Sequence, residues 1–160
     1  MPGRVAAEGD GPPRPENPRG AVEPFTAALK LKPDLADAHR GLGQAHEALG
    51  QADRAMESYQ RALSLNGTDA VALNNLAWVL NEMRKRPEEA LPFALKASQL
   101  APQWPEVLDT LGWIQYRRGV YGEAERVLLR AVERAGPMGL ALPDTCTYVV
   151  RRGGTCDGAV

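Results

Sequence analysis

The side chains best able to do chemistry in this chain are few. His39 and His46 are its only histidines. Two histidines one helical turn apart can share a zinc ion, as in His-Glu-x-x-His. His46-Glu47 opens that pattern, but Gly50 stands where the second ligand belongs. Seven residues apart, the two rings lie roughly 10 Å apart along a helix axis, too far to share a metal ion. They are read as packing histidines. Cys146 and Cys156, near the end of the chain, fit no zinc spacing and are read as free thiols. Gly41-Leu42-Gly43 lies inside a helical pattern, not in a strand-to-helix turn, so it is no phosphate loop. Glu88-Glu89 opens a helix, where carboxylates suit the helix dipole. There is no Walker loop, dinucleotide fingerprint or nucleophile elbow. The expectation is a non-catalytic protein with no cofactor and no metal.

What remains is recognition chemistry. Trp78 and Trp113 are 35 residues apart. With about 100° per residue, Leu73, Leu76, Ala77, Leu80 and Met83 form one packing stripe. Trp78 falls roughly 140° from Leu73, on a face with Asn74, Asn75, Asn81 and Glu82. A tryptophan on a polar face is unusual. The next such segment repeats the arrangement: Trp113 lies opposite Leu108 and Leu111, near Glu106, Asp109, Tyr116 and Arg117. The segment before supplies Gln44 there, with Arg40 and Glu47 nearby. Trp, Tyr and Arg are enriched at binding hot spots. The candidate partner-binding residues are therefore Arg40, Gln44, Asn74, Asn75, Trp78, Asn81, Asp109, Trp113, Tyr116 and Arg117. Two readings stay open: the indoles anchor a ligand, or each packs sideways against the next helix.

The elements that hold these residues repeat. Gly43, Ala55, Tyr59 and Ala62 recur 69 residues later as Gly112, Ala124, Leu128 and Ala131. An intervening copy supplies Ala77, Ala90, Ala94 and Ala97, and an earlier half-copy supplies Ala21, Phe25 and Ala28. Pro33, Gly67, Pro102 and Gly136 close the units. Each unit holds two amphipathic helices. Gly50 and Gly119 stop the first helix of their units, a common role for glycine just past a helix. The third copy carries one extra residue, assigned to the turn Met83-Arg84-Lys85-Arg86, before Pro87 opens its second helix. Small residues at fixed places let paired helices approach closely.

These residues make the chain resemble the tetratricopeptide repeat family over about 21–138. Leu42-Gly43, Leu76-Ala77 and Leu111-Gly112 match the family's Leu-Gly, and the later Ala, aromatic and Ala positions follow. His39, Leu73 and Leu108 replace the family's early tryptophan, and Gly67 and Gly136 its closing proline. The runs around Trp78 and Trp113 also resemble bacterial repeat proteins linked with envelope and exopolysaccharide assembly. The resemblance implies an all-α, right-handed superhelical array of antiparallel helix pairs, about three and a half repeats long. First helices would line a concave groove that binds a protein or peptide. Some members clamp a C-terminal carboxylate. Arg40, Gln44 and Asn75 fit part of such a clamp, but Glu106 and Thr110 stand where cations belong.

The division expected is a Pro/Gly-rich arm at 1–20, a half-repeat at 21–35, repeats at 36–69, 70–104 and 105–138, and an irregular tail at 139–160. Of the 160 residues, 44% are hydrophobic and 24% charged, with a net charge of −1. That is ordinary for a globular chain. Residues 36–69 hold three basic and five acidic side chains, and 105–138 five of each. Nucleic-acid binding needs a basic face, so it is not expected. No apolar run approaches the ~20 residues of a membrane span, and the start lacks the apolar stretch of a signal peptide. Cytoplasmic placement without membrane insertion is the expectation. Both ends of the array are incomplete, leaving Val127, Leu128 and Ala131 expected to be partly uncovered. The second reading is thus a structural element that self-associates through uncapped ends, or a fragment of a longer scaffold.

Overall fold

The structure, a computed structural model, describes residues 17–136. Both cysteines and the 139–160 tail lie outside them. The described residues form seven helices: α1 Pro18–Leu31, α2 Ala36–Ala48, α3 Ala52–Leu65, α4 Ala70–Trp78, α5 Pro87–Leu100, α6 Pro105–Arg117 and α7 Tyr121–Ala135. A π-helical turn, Val79–Met83, continues α4. Each helix packs on the next in chain order, and α4 also touches α6. This is a stack of helix pairs with α2, α4 and α6 as first helices.

Helix starts follow local chemistry. Asn17 caps α1 by accepting from the Gly20 amide at 3.0 Å. Pro18 occupies the first helical position, where its missing N–H costs nothing. The helix thus begins inside the stretch expected to be an arm. Asp69 caps α4 through the Ala72 amide at 3.0 Å and holds Arg40 of α2 at 2.7 Å.

The pairs are set by size complementarity. A Cβ on Gly43 would come within 2.6 Å of the Tyr59 ring, and one on Gly112 within 2.5 Å of the Leu128 side chain. A Cβ on Gly41 would collide with the Phe25 ring. At the place equivalent to Gly43 and Gly112, the third unit has Ala77, and there its second helix carries only Ala94. Both are fully buried. Bulk on one helix is thus matched by a glycine on the other.

Two expectations are corrected. The extra residue of the third unit is taken up in the π-helical turn, not in a longer loop. A single insertion inside a helix is absorbed in this way, so the inter-helix turn keeps its shape. Lys85 then stands where Gly50 and Gly119 stand, and all three have positive φ: 57°, 75° and 79°. Secondly, Val127, Leu128 and Ala131 are buried, at 3%, 0% and 0% exposure. Val127 and Ala131 belong to the main apolar cluster with Leu111 and Ile114. The apolar side chains left open on α7 are Tyr121, Leu129 and Val132.

Candidate partner-binding face

The first helices position the candidate residues in two ways. Where a first helix has neighbours on both sides, even its polar residues are enclosed. Asn74, Asn75 and Asn81 are buried, with at most 4% exposure. They are not the open contact surface expected of them. Asn75 lies next to the Tyr59 phenol, without a well-formed hydrogen bond of its own. The Tyr59 hydroxyl donates to Glu47 Oε2 at 2.7 Å. Burial first, then the adjacent Glu47 carboxylate, pushes the phenol far above its ordinary range, so it stays a neutral donor. The side-chain oxygens of Asn74 and Asn81 are likewise buried without a partner.

Arg40 is committed elsewhere than to an open groove. It bridges Asp69 at 2.7 Å and Asp37 at 3.1 Å, tying α2 to the start of α4. Thr110 turns its hydroxyl back to the Glu106 carbonyl at 3.0 Å. Neither arrangement builds a carboxylate clamp. Gln44 and Asp109 are partly buried on their first helices.

Trp78 is partly buried against the main apolar cluster. Trp113 is held by Glu82. Its indole Nε1 donates to Glu82 Oε1 at 2.7 Å. The same oxygen accepts from Asn81 Nδ2 at 2.9 Å and Arg117 Nε at 3.0 Å. Arg117 Nη2 donates to Glu82 Oε2 at 3.0 Å, and Lys85 Nζ lies 3.8 Å from that oxygen. Arg117 also sits over the Trp113 ring, 5.8 Å from its centroid, within cation–π range. Trp113 stacks on Tyr116 at 4.9 Å and 12°, and Tyr116 meets Tyr121 at 5.4 Å and 57°. An aromatic ladder therefore runs from α6 onto α7.

Glu82 is the residue whose importance sequence reasoning missed, and Tyr121 is the second. A signal existed for Glu82. It precedes Arg117 by 35 residues, the same interval that separates the tryptophans. Opposite charges at equivalent places on adjacent units invite pairing. Tyr121 gave no such signal, because it opens a second helix. The histidines do not converge: His39 Nε2 donates to the Pro33 carbonyl at 2.9 Å, and His46 Nδ1 to Gln51 Oε1 at 2.7 Å. Among the described residues no cluster of three metal-ligating side chains occurs.

Stacked antiparallel helix pairs with aromatic side chains on successive first helices define a helical-repeat scaffold of the kind that holds other chains. Residues 25–103 are tetratricopeptide repeats: the family model of that description matches them. A TPR repeat-containing protein of Pseudomonas aeruginosa is 44% identical over 66 residues, covering 41% of this chain and 11% of that protein. Type IV pilus assembly protein PilF of the same organism is 36% identical over 100 residues, covering 61% and 39%. The chain thus spans well under half the length of these relatives. A solved structure of PilF from Pseudomonas aeruginosa superposes with a TM-score of 0.70 at 28% identity, over 84% of this chain and 63% of that one. The crystal structure of MamA does so at 0.71 and 19% identity, over 89% and 82%, which concerns the fold alone. Tetratricopeptide repeats generally mediate protein–protein interactions. Among the described residues no helix is long and apolar enough to cross a membrane.

Proposed function

We propose that this array binds a segment of another protein along the face of its first helices, centred on Trp78 and on the Trp113–Tyr116–Tyr121 ladder. The observation that supports this reading most is the recurrence of a partly buried indole at one place on α4 and α6, joined by the Glu82–Arg117 bridge. Rigid aromatic rings on a pre-organised support lose little freedom when a ligand covers them. Gln44, Asp109 and Arg117 border this strip and offer polar contacts. The buried asparagines act behind it, as support. One relative being a pilus assembly protein supports a partner drawn from a multiprotein assembly.

Peptides selected from a displayed random library against the whole chain provide the test. Trp78→Ala is expected to weaken the selected peptides by about thirtyfold, the ~2 kcal/mol of a hot-spot residue. Far-UV circular dichroism should stay unchanged. Equal affinity for the wild type and Trp78→Ala would overturn the proposal.

A further inference from the structure

The last described helix, α7, leaves one face open. On α3, Ala52, Met56 and Leu63 pack against the main apolar cluster, to which the following first helix, α4, contributes Ala72, Leu76 and Ala77. Leu91 of α5 packs on the same cluster. The residues of α7 equivalent to those of α3 are Tyr121, Glu125 and Val132, 69 positions later. Among the described residues no helix follows α7. Tyr121 and Val132 are 44% and 36% exposed, where Ala52 and Leu63 are partly buried. Leu129 is a different case. Its counterpart on α5, Leu95, is 40% exposed although α6 follows α5, so both belong to the outer surface.

The sequence beyond Gly136 keeps the interval of the array. Gly50, Lys85 and Gly119, each with positive φ, make the turn inside a unit. Gly153 stands 34 residues after Gly119, and Arg151-Arg152-Gly153 repeats Arg117-Arg118-Gly119. In this register Tyr148 falls at the place of Ala45, Val79 and Ile114, all at 0% exposure. Val149 falls at the place of His46, Leu80 and Gln115, which are buried too. Pro143 does not bar a helix, since α1, α5 and α6 each begin on a proline, at the position where its missing N–H costs nothing. Pro143-Asp144 also matches Pro105-Glu106, which opens α6. A carboxylate in the first turn and arginines in the last both suit the helix dipole.

We propose that residues 143–152 form a short first helix that covers the open face of α7 and closes the array, in place of the irregular tail expected there. The connection, 137–142, has the length usual between packed helices. So short a segment, rich in Thr and Val, does not hold a helix alone, so helix and contact form together. Covalent attachment beside α7 favours this segment over any separate chain as the occupant. Thr147 takes the place of Trp78 and Trp113, so the aromatic strip of the first helices stops at the Trp113–Tyr116–Tyr121 ladder. That consequence rests on the partner-binding reading above; the docking of the segment does not.

Hydrogen–deuterium exchange of the whole chain, read by mass spectrometry of its peptides, provides the test. The amides of 147–152 are expected to exchange at least about tenfold more slowly than in a free synthetic peptide of the same sequence, as in a locally stable element. Val132→Asp on α7 and Tyr148→Asp on the segment should each abolish this protection. Protection of α2 to α6 should stay unchanged in both variants, which shows that the array itself remains folded. The slowing should be independent of protein concentration. Free-peptide rates in the wild type, or protection that survives Val132→Asp, would overturn the proposal. So would protection that grows with concentration, the sign of a second copy on this face. No partner enters the measurement, so its failure leaves the partner-binding face standing.

Discussion

Lys85 shows how much a single residue can disclose. Its φ of 57° is the left-handed conformation that Gly50 and Gly119 adopt at the equivalent turns. A side chain there carries a steric cost of roughly 1–2 kcal/mol. Lys85→Gly is therefore expected to stabilise the array by about 1 kcal/mol, seen as a raised urea midpoint with an unchanged slope. Tyr59 makes the second prediction at this scale. Its folded pKa is raised, by burial and then by Glu47. A raised value means that the neutral phenol is favoured in the folded state, so stability is fully present below the unfolded value of 10.0. It is lost as pH rises beyond that. The wild type should lose stability steeply above pH 10, and Tyr59→Phe should lose less of its own. A parallel decline in both would contradict this account. Residues were the least legible scale in the sequence. Asn74, Asn75 and Asn81 read as a polar surface because amides are usually exposed. Their burial comes from the helices flanking α4 on both sides, which a count along one helix does not contain.

At the scale of elements, the sequence carried much more. Seven helices and their pairing follow from small residues recurring at fixed intervals, since only such residues let two axes approach. The extra residue of the third unit was visible as a count but not as a place. A helix can absorb one residue as a π turn as readily as a loop can, and nothing in Met83-Arg84-Lys85-Arg86 decides between them. Pro18 misled in the same way, since proline stops a helix in its interior but suits its first position. Size matching between helices gives a direct prediction. Gly112→Ala places a methyl group against Leu128 and is expected to cost about 1–3 kcal/mol by overpacking. In a Leu128→Ala background, which copies the Ala77–Ala94 pair of the third unit, the same change should cost far less. Additive costs in the double-mutant cycle would show that the two residues do not constrain each other.

For the whole molecule, coupling between units is the property that matters, because an array presents one surface only if its units hold a fixed relation. Glu82 makes this coupling on the face of the first helices, joining α4 to α6 through Trp113 and Arg117. Glu82→Ala leaves the Trp113 indole and Arg117 without that acceptor. It is expected to cost about 1–3 kcal/mol, and a cycle with Arg117→Ala should recover most of the loss as coupling. Trp113 is tied into the frame of the array through Glu82, so a change at Trp78 is the single probe of binding that leaves this bridge in place. The sequence located both tryptophans but not the bridge, because the bridge spans two units. The most direct measurement of the central claim is tryptophan emission in a Trp104→Phe background, where Trp78 and Trp113 are the remaining indoles. Titration with a library-selected peptide should shift the emission to the blue, saturating at the affinity measured independently, with most of the shift lost in Trp78→Ala. Tight binding of the peptide with no change in emission would contradict the claim that the face of the first helices is where this array holds its partner.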